Sequence, residues 1–287
     1  MRTLAPALLL LVASFAAAPA VAADMAVKAP PAIPMAPAAS WTGFYLGVDA
    51  GARWSDPRVD VPNAVNQLGA SLIPGDCSPN CVPGESFDGT AFRFGPYLGY
   101  QLQFAPQWVA GIEGDWAWAE NKVTRNGMVY PGGGNPYFIT GNVGDSFAVK
   151  TTWDASARGR LGYLITPSFL VYGTGGAAWI HLETDSSCGP ASIASDTCNP
   201  IGAAPGTGTP FTIQNSHTMV GWTVGGGLEA SLGRNWFARA EYRYTDYGHV
   251  SNTDTFGGGG AFLRIVSTTV HLNTQLVNFG LAYKFGN

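Results

Sequence analysis

A chain of 287 residues has room for one large or two ordinary domains. Only 12% of its residues are charged, against about 25% in an average soluble protein, while it carries 38 Gly, 20 Pro and 12% aromatics. With 15 basic residues against 19 acidic ones the net charge is −4, which excludes a basic phosphate-binding surface and hence nucleic acid as a partner. Such a composition calls either for an unusually large core or for an apolar surface turned toward lipid.

In chain order, residues 1–23 read as a secretory signal peptide. Arg2 supplies the positive n-region, ALLLLVASFAAA the apolar h-region, and Val21-Ala22-Ala23 the small-residue cleavage site before Asp24. Cleavage removes Arg2 as the sole charge and leaves 14 basic residues against 19 acidic ones, a net charge of −5. Residues 24–40 (DMAVKAPPAIPMAPAAS) form a Pro/Ala-rich linker, in which Pro30, Pro31, Pro34 and Pro37 favour extended polyproline II. No later segment offers about 18 consecutive apolar residues, so no transmembrane helix follows the signal.

Residues 41–287 instead show repeated period-two alternation. In 43–54, Phe44, Leu46, Val48 and Trp54 share one face, with Asp49 and Arg53 on the other. In 90–104, Phe92, Phe94, Leu98 and Phe104 oppose Arg93, Gln101 and Gln103. In 108–120, Trp108, Ile112, Trp116 and Trp118 oppose Glu113 and Asp115. The stretch WDASARGRLGYLI (153–165) sets Trp153, Leu161, Tyr163 and Ile165 against Asp154, Ser156, Arg158 and Arg160. Residues 169–183 read as a strand with apolar residues on both faces, so the pattern leaves it unoriented. Residues 217–232, 236–247 and a last segment ending at Phe285 complete eight strands.

Short turns at Ala105-Pro106-Gln107, Thr166-Pro167-Ser168 and Gly233-Arg234-Asn235 alternate with long Gly/Pro/Ser/Asn-rich loops at about 55–89, 121–146, 184–216 and 246–268. That layout predicts an all-β fold: an eight-stranded antiparallel up-and-down transmembrane β-barrel with short periplasmic turns and long extracellular loops. The apolar faces would meet lipid, with Trp108, Trp118, Trp153, Tyr163, Trp236 and Tyr244 as an aromatic girdle. The polar faces would fill a narrow lumen. There Arg53, Arg93, Lys150, Arg158, Arg160, Arg239, Arg243 and Lys284 would pair with Asp49, Glu113, Asp115, Asp154, Glu229 and Glu241. On this reading, replacing Arg160 or Arg239 with Ala lowers the unfolding temperature, whereas replacing Ser156 does little. A soluble lipocalin-like barrel with an apolar ligand cavity would require the opposite inside face.

The segments ADMAVKAPP, WTGFYLGVDAG, WDASARGRLGY, VYGTGGAAW, EYRYTDYG and NFGLAYKF, in this order, resemble the porin-like outer-membrane immunogenic protein family of Gram-negative bacteria over nearly the whole mature chain. The resemblance implies an abundant, antigenic, structural barrel exposed at the cell surface, with haem binding proposed for some relatives. Relatives of this kind commonly end on an aromatic residue read by the assembly machinery, whereas this chain ends Phe285-Gly286-Asn287. Expected partners are outer-membrane lipid and lipopolysaccharide, the outer-membrane assembly machinery, and host or surface ligands at the loops.

Cys77 and Cys81 fall in the first long loop, Cys188 and Cys198 in the third. In an oxidising periplasm two intraloop disulfides are the natural reading, with pairings between the loops left open. The spacing lacks a metal-binding pattern, and neither a metal nor a cofactor is expected. Gly173-Thr174-Gly175-Gly176 lacks the helix that a dinucleotide fingerprint needs. Of the histidines (His181, His217, His249 and His271), Ser216-His217 raises the idea of a lipid-modifying Ser/His pair, although triads assemble in space rather than by local spacing. The expected role is a non-enzymatic, surface-exposed barrel with a salt-bridged lumen. A small solute channel and a haem-binding or lipid-modifying barrel are the alternatives.

Overall fold

The structure, a computed structural model of the chain, describes residues 40–66, 69, 85–126, 128–129, 138–139, 144–190, 209–256 and 264–285. The signal peptide and nearly all of the linker lie outside these residues. So do Cys77, Cys81, Cys198 and the terminal Gly286-Asn287. Residues 38–287 make one compact unit.

Eight long strands carry the fold: β1 (Gly43–Asn66), β3 (Gly89–Ala105), β4 (Trp108–Asn126), β7 (Ser146–Thr166), β8 (Phe169–Cys188), β9 (Phe211–Gly233), β10 (Trp236–Phe256) and β11 (Arg264–Phe285). The two-residue strand β2 (Glu85–Ser86) adds to β1, and β5 (Met128–Val129) pairs with β6 (Phe138–Ile139). Each long strand pairs antiparallel with the next, and β11 pairs back onto β1 from Phe44↔Phe285 to Asn66↔Arg264. The sheet is therefore a closed up-and-down barrel without a free long edge. Among the described residues no helix is long and apolar enough to cross a membrane.

At one end of the barrel, two-residue turns join the strands at Pro106-Gln107, Pro167-Ser168 and Arg234-Asn235. Arg234 and Asn235 both have positive φ, 51° and 68°, the type I′ geometry whose twist matches that of the flanking strands. At the opposite, loop end, the strands run well past their expected limits. β1 continues to Asn66 rather than Trp54, β10 to Phe256 rather than Tyr247, and β7 begins at Ser146 rather than Trp153. The extensions escaped the sequence pattern because the alternation changes there: β1 reverses its polarity, and β10 becomes polar on both faces with Asn252 and Asp254 inward. Beyond Trp54 the outward positions of β1 are Asp56 and Arg58, and the inward ones are Pro57 and Val59.

Between Phe44 and Trp54 the outer wall is apolar. Ten residue steps of ~3.3 Å at a tilt of ~40° span about 25 Å, the height of an outer-membrane hydrophobic band. Within it Phe92 is 73% exposed, Ile112 69% and Phe279 65%, values that lipid rather than water accommodates. Aromatic residues rim both edges. At the turn end Trp108 packs on Tyr163 and Trp236 on Tyr283, with ring centroids 5.2 and 5.3 Å apart. At the loop end Trp118 lies opposite Trp153, and Trp222 packs on Tyr244 at 5.6 Å. All six girdle residues named from sequence face outward on these rims. Trp54, Trp116, Trp179, Trp222 and Tyr283 extend the same rings.

Candidate functional site

The interior is stacked in three layers along the barrel axis. At the turn end lies an apolar layer of Trp41, Val109, Leu164, Leu170, Tyr172 and Phe237. Trp41, just ahead of β1, is fully buried across this mouth. Its indole Nε1 donates to the Pro167 carbonyl at 3.0 Å, and its ring lies 4.9 Å from that of Phe237. At the loop end a second apolar layer gathers Val59, Phe87, Phe147, Val149, Ala178, Ile180, Leu182, Met219, Tyr247, Val270 and Leu272. The charged layer lies between the two.

That middle layer holds Arg53, Arg93, Arg158, Arg160, Arg239 and Arg243 together with Asp49, Glu113, Asp115, Asp154, Glu229 and Glu241, each no more than 6% exposed. Every one of these charges meets an opposite charge. Arg93 bridges Asp49 at 2.8 Å and Asp154 at 2.8 Å, and also pairs with Asp115. Arg53 pairs with Asp154 at 2.7 Å and further donates to the Ala119 carbonyl and Thr151 Oγ1, both at 2.6 Å. Arg158 joins Glu113 at 2.5 Å to Glu241 at 2.7 Å, and Arg239 joins Glu113 at 2.6 Å to Asp49 at 3.1 Å. Arg160 pairs with Glu229 at 2.8 Å, and Arg243 with Asp115 at 2.8 Å.

Equal numbers of arginines and carboxylates leave this layer with no net charge, the condition under which so many ions tolerate a dry, low-dielectric interior. Arginine suits the task because its planar fork spans two or three carboxylates at once.

Neutral partners complete the layer, and sequence reading missed most of them. Tyr45 Oη donates to Glu113 at 2.8 Å and accepts from Arg160 at 3.1 Å; Tyr172 Oη donates to Glu241 at 3.1 Å. The guanidinium of Arg239 lies 3.5 Å from the Tyr97 ring centroid, and that of Arg160 lies 4.2 Å from the Tyr172 centroid, both in cation–π contact. Tyr45 shares a parity with Asp49 and Arg53, and Tyr97 with Arg93, so their inward direction was readable once the charges set the phase. Glycine makes the space. A Cβ on Gly47 would fall 2.4 Å from Tyr97 Cζ, and one on Gly99 would fall 2.4 Å from Tyr45 Oη, so each inward tyrosine lies over the glycine paired with it across the strands.

Three sequence assignments need correction. Lys150 does not reach the lumen. A bulge between Thr151 and Asp154 resets the parity of β7, so Lys150 faces outward and lies 3.5 Å from Glu183. Lys284 does point inward, yet it belongs to the turn end, where Nζ donates to the Thr42 carbonyl at 3.1 Å rather than to a carboxylate. Ser156 is not an idle neighbour. Its hydroxyl donates to Asp115 and accepts from Arg243 at 3.1 Å.

Ser216 and His217 do not form the pair that their adjacency suggests, because neighbouring strand residues face opposite sides. His217 points inward and bonds Asn252, whereas Ser216 points outward, 3.2 Å from His181 Nε2. The Glu183 carboxylate lies 3.5 Å from that same nitrogen. A nucleophile triad needs the hydroxyl and the acid on different ring nitrogens. His249 and His271 face outward side by side, with ring centroids 5.2 Å apart. Residues 173–176 lie within β8, which continues as strand to Cys188 instead of turning into a helix, and the inward Thr174 accepts from Arg158 at 3.2 Å. Cys188 ends β8 and is buried. Because the other three cysteines lie outside the described residues, their pairing does too.

A family described as outer membrane protein beta-barrel domain matches residues 7–285. The 31 kDa outer-membrane immunogenic protein of Brucella melitensis biotype 1 is 30% identical over 281 residues, covering 96% of this chain and 97% of its own. The 22 kDa outer membrane protein of Rhizobium leguminosarum bv. viciae is 30% identical over 214 residues, 75% of this chain and 68% of its own. Among solved structures, the outer membrane protein OprG of Pseudomonas aeruginosa aligns with 86% of this chain and 98% of its own, at 12% identity and a TM-score of 0.45.

Proposed function

This chain belongs to the family of outer-membrane β-barrel proteins, and from that premise we propose that it is a closed, non-enzymatic structural barrel. It stiffens the outer membrane and holds its loops at the cell surface. Its short turns face the periplasm, and its strand extensions rise above the outer leaflet. The single observation that supports closure is the stacking inside the barrel. A neutral, fully paired ionic layer lies between an apolar layer at the periplasmic mouth and another at the extracellular mouth. A solute path would have to break both apolar layers and separate arginine–carboxylate pairs in a medium where each unpaired ion costs several kcal/mol. The printed name of the Brucella relative, an immunogenic outer-membrane protein, agrees with surface presentation.

Liposome swelling tests this reading. Vesicles carrying the refolded mature chain, with insertion checked by a heat-dependent shift in gel mobility, are expected to swell in small sugars and amino acids no faster than empty vesicles. Swelling that scales with protein content and falls with solute size would replace the structural reading with a channel.

A further inference from the structure

Outside the lumen, at the extracellular edge of the apolar band, two adjoining clefts of about 650 and 360 Å³ share Asp56, Asp88 and Asn273. They lie between β1, β11 and the chain that leads from β2 into β3. We propose that this cleft is a saccharide site that accepts a neutral or amino-bearing hexose unit. This goes beyond the structural role and does not depend on the lumen being closed.

Trp54 supplies the apolar surface. It is 45% exposed, lines the smaller cleft, and offers a flat face of the kind on which the C–H face of a pyranose packs. The wall beside it is made of groups that bond hydroxyls. Asn273 and Gln275 lie two residues apart on one face of β11. The Gln275 Oε1 already accepts from Tyr242 Oη at 3.0 Å, which leaves its amide N–H groups as donors. Opposite them Ser86 Oγ donates to Asp88 and lies 3.2 Å from Asp56 Oδ1, holding two carboxylates together with acceptor capacity to spare. Amide donors facing carboxylate acceptors match adjacent sugar hydroxyls, each of which donates one hydrogen bond and accepts others.

Charge selects the class of sugar. Asp56, Asp60 and Asp88 line the larger cleft against Arg58, and Asp60 lies 3.7 Å from His271 Nε2. The excess of carboxylate repels a phosphorylated or acidic sugar and favours a neutral or ammonium-bearing one. The hydrogen bond that Asp88 makes with Asp56 raises the Asp56 pKa, which agrees with two carboxylates held close.

The test is a titration of the refolded chain in detergent micelles with maltotriose, a glucosamine trimer and sialyllactose, read by saturation-transfer NMR and calorimetry. Saturable binding of the first two, at least about tenfold tighter than sialyllactose, is expected. Asn273→Ala and Trp54→Leu should each weaken it about tenfold or more, while Trp54→Phe retains it and the heat-dependent gel shift stays intact in all three. Equal affinity for the acidic sugar would overturn the proposal. So would wild-type binding in both Asn273→Ala and Trp54→Leu, no saturation by about 50 mM, or a cleft that binds Ca²⁺ or Mg²⁺ and no sugar. The source follows from repeating the titration in bilayers. If lipopolysaccharide with a complete core blocks the trimer and core-less lipid A does not, the ligand in place is the membrane's own core sugar. If neither blocks it, the ligand is a soluble glycan.

Discussion

Below the ring formed by Trp54, Trp118, Trp153, Trp179 and Trp222 the barrel is apolar outside and, as far as the apolar layer at its turn end, ionic within. Above the ring the same strands are polar outside and hold an apolar layer within, together with buried polar side chains such as Asn252 and Asp254. β7, β8 and β11 keep both partners across this boundary, whereas β3 begins at it and β10 parts from β9 there, after Asp246↔Trp222. The chemistry of the two faces changes there, because the solvent around the strands changes from lipid to water. The two regions are held by different physics. Burial of apolar area drives the upper region, as in a soluble domain. In the lower region lipid replaces that drive, and backbone pairing together with paired ions in the lumen does the work.

Removing one charge from the lower region is the most damaging change expected. Arg93→Ala leaves Asp49, Asp115 and Asp154 short of a cation, and should cost about 3–5 kcal/mol in urea unfolding of the refolded protein. The contrast sharpens when both members of a pair go. The double change Arg160→Met with Glu229→Leu should cost less than either change alone, the sign of a pair valued mainly because its halves cannot stand unpaired. A cost equal to the sum of the two single changes would place the stability elsewhere.

A cavity in the upper region should act locally. Ile180→Ala is expected to cost about 2–4 kcal/mol. The loss should appear as faster hydrogen exchange in β8, β9 and β10 beyond Trp179, while amides in the lower strands stay protected.

Smaller effects follow from single hydrogen bonds. Ser156→Ala takes a donor from the buried Asp115, and should cost about 1–2 kcal/mol in the same urea titration, against the sequence expectation that it does little. Lys150→Ala, on the outside and beside Glu183, should change stability by less than about 0.5 kcal/mol. A drop as large as that of Arg93→Ala would return Lys150 to the lumen.

The smallest effect concerns two exposed carboxylates above the ring. The hydrogen bond with Asp88 raises the Asp56 pKa, and hydrogen bonding from Ser86 lowers that of Asp88. As pH falls, Asp56 should therefore protonate before Asp88 in an NMR titration. The raised Asp56 contributes stability that is lost as pH rises through its folded pKa, and the lowered Asp88 contributes stability that is lost as pH falls through its own. The two contributions oppose each other, so thermal stability should barely respond. Asp88→Asn should remove the upward displacement of Asp56.

The lower region was largely legible in the sequence because lipid and ions write a simple alternation. Phe44 to Trp54 and Trp153 to Ile165 each declare both faces, and the inward charges of β7 follow directly. The upper region was hidden because the apolar residues change faces there, so an alternation followed in one phase stops at Trp54 although β1 continues to Asn66. β8 could not be oriented for a related reason. Leu170 and Tyr172 feed the periplasmic apolar layer and Ala178, Ile180 and Leu182 the extracellular one, so its inward face looks as apolar as its outward face. Lys150 was misplaced by a bulge, which leaves no trace in residue types. Trp41 reads in the sequence only as part of the entry into the first strand, although it closes the periplasmic mouth.

The most direct test of the closed lumen is single-channel recording from the refolded mature chain in a planar bilayer, with insertion verified by the heat-dependent gel shift. An inserted protein that passes no resolvable current at either polarity is the expected result. Reproducible current steps from correctly folded protein would mean that water threads the ionic layer and both apolar layers, and the account of a closed structural barrel would be wrong.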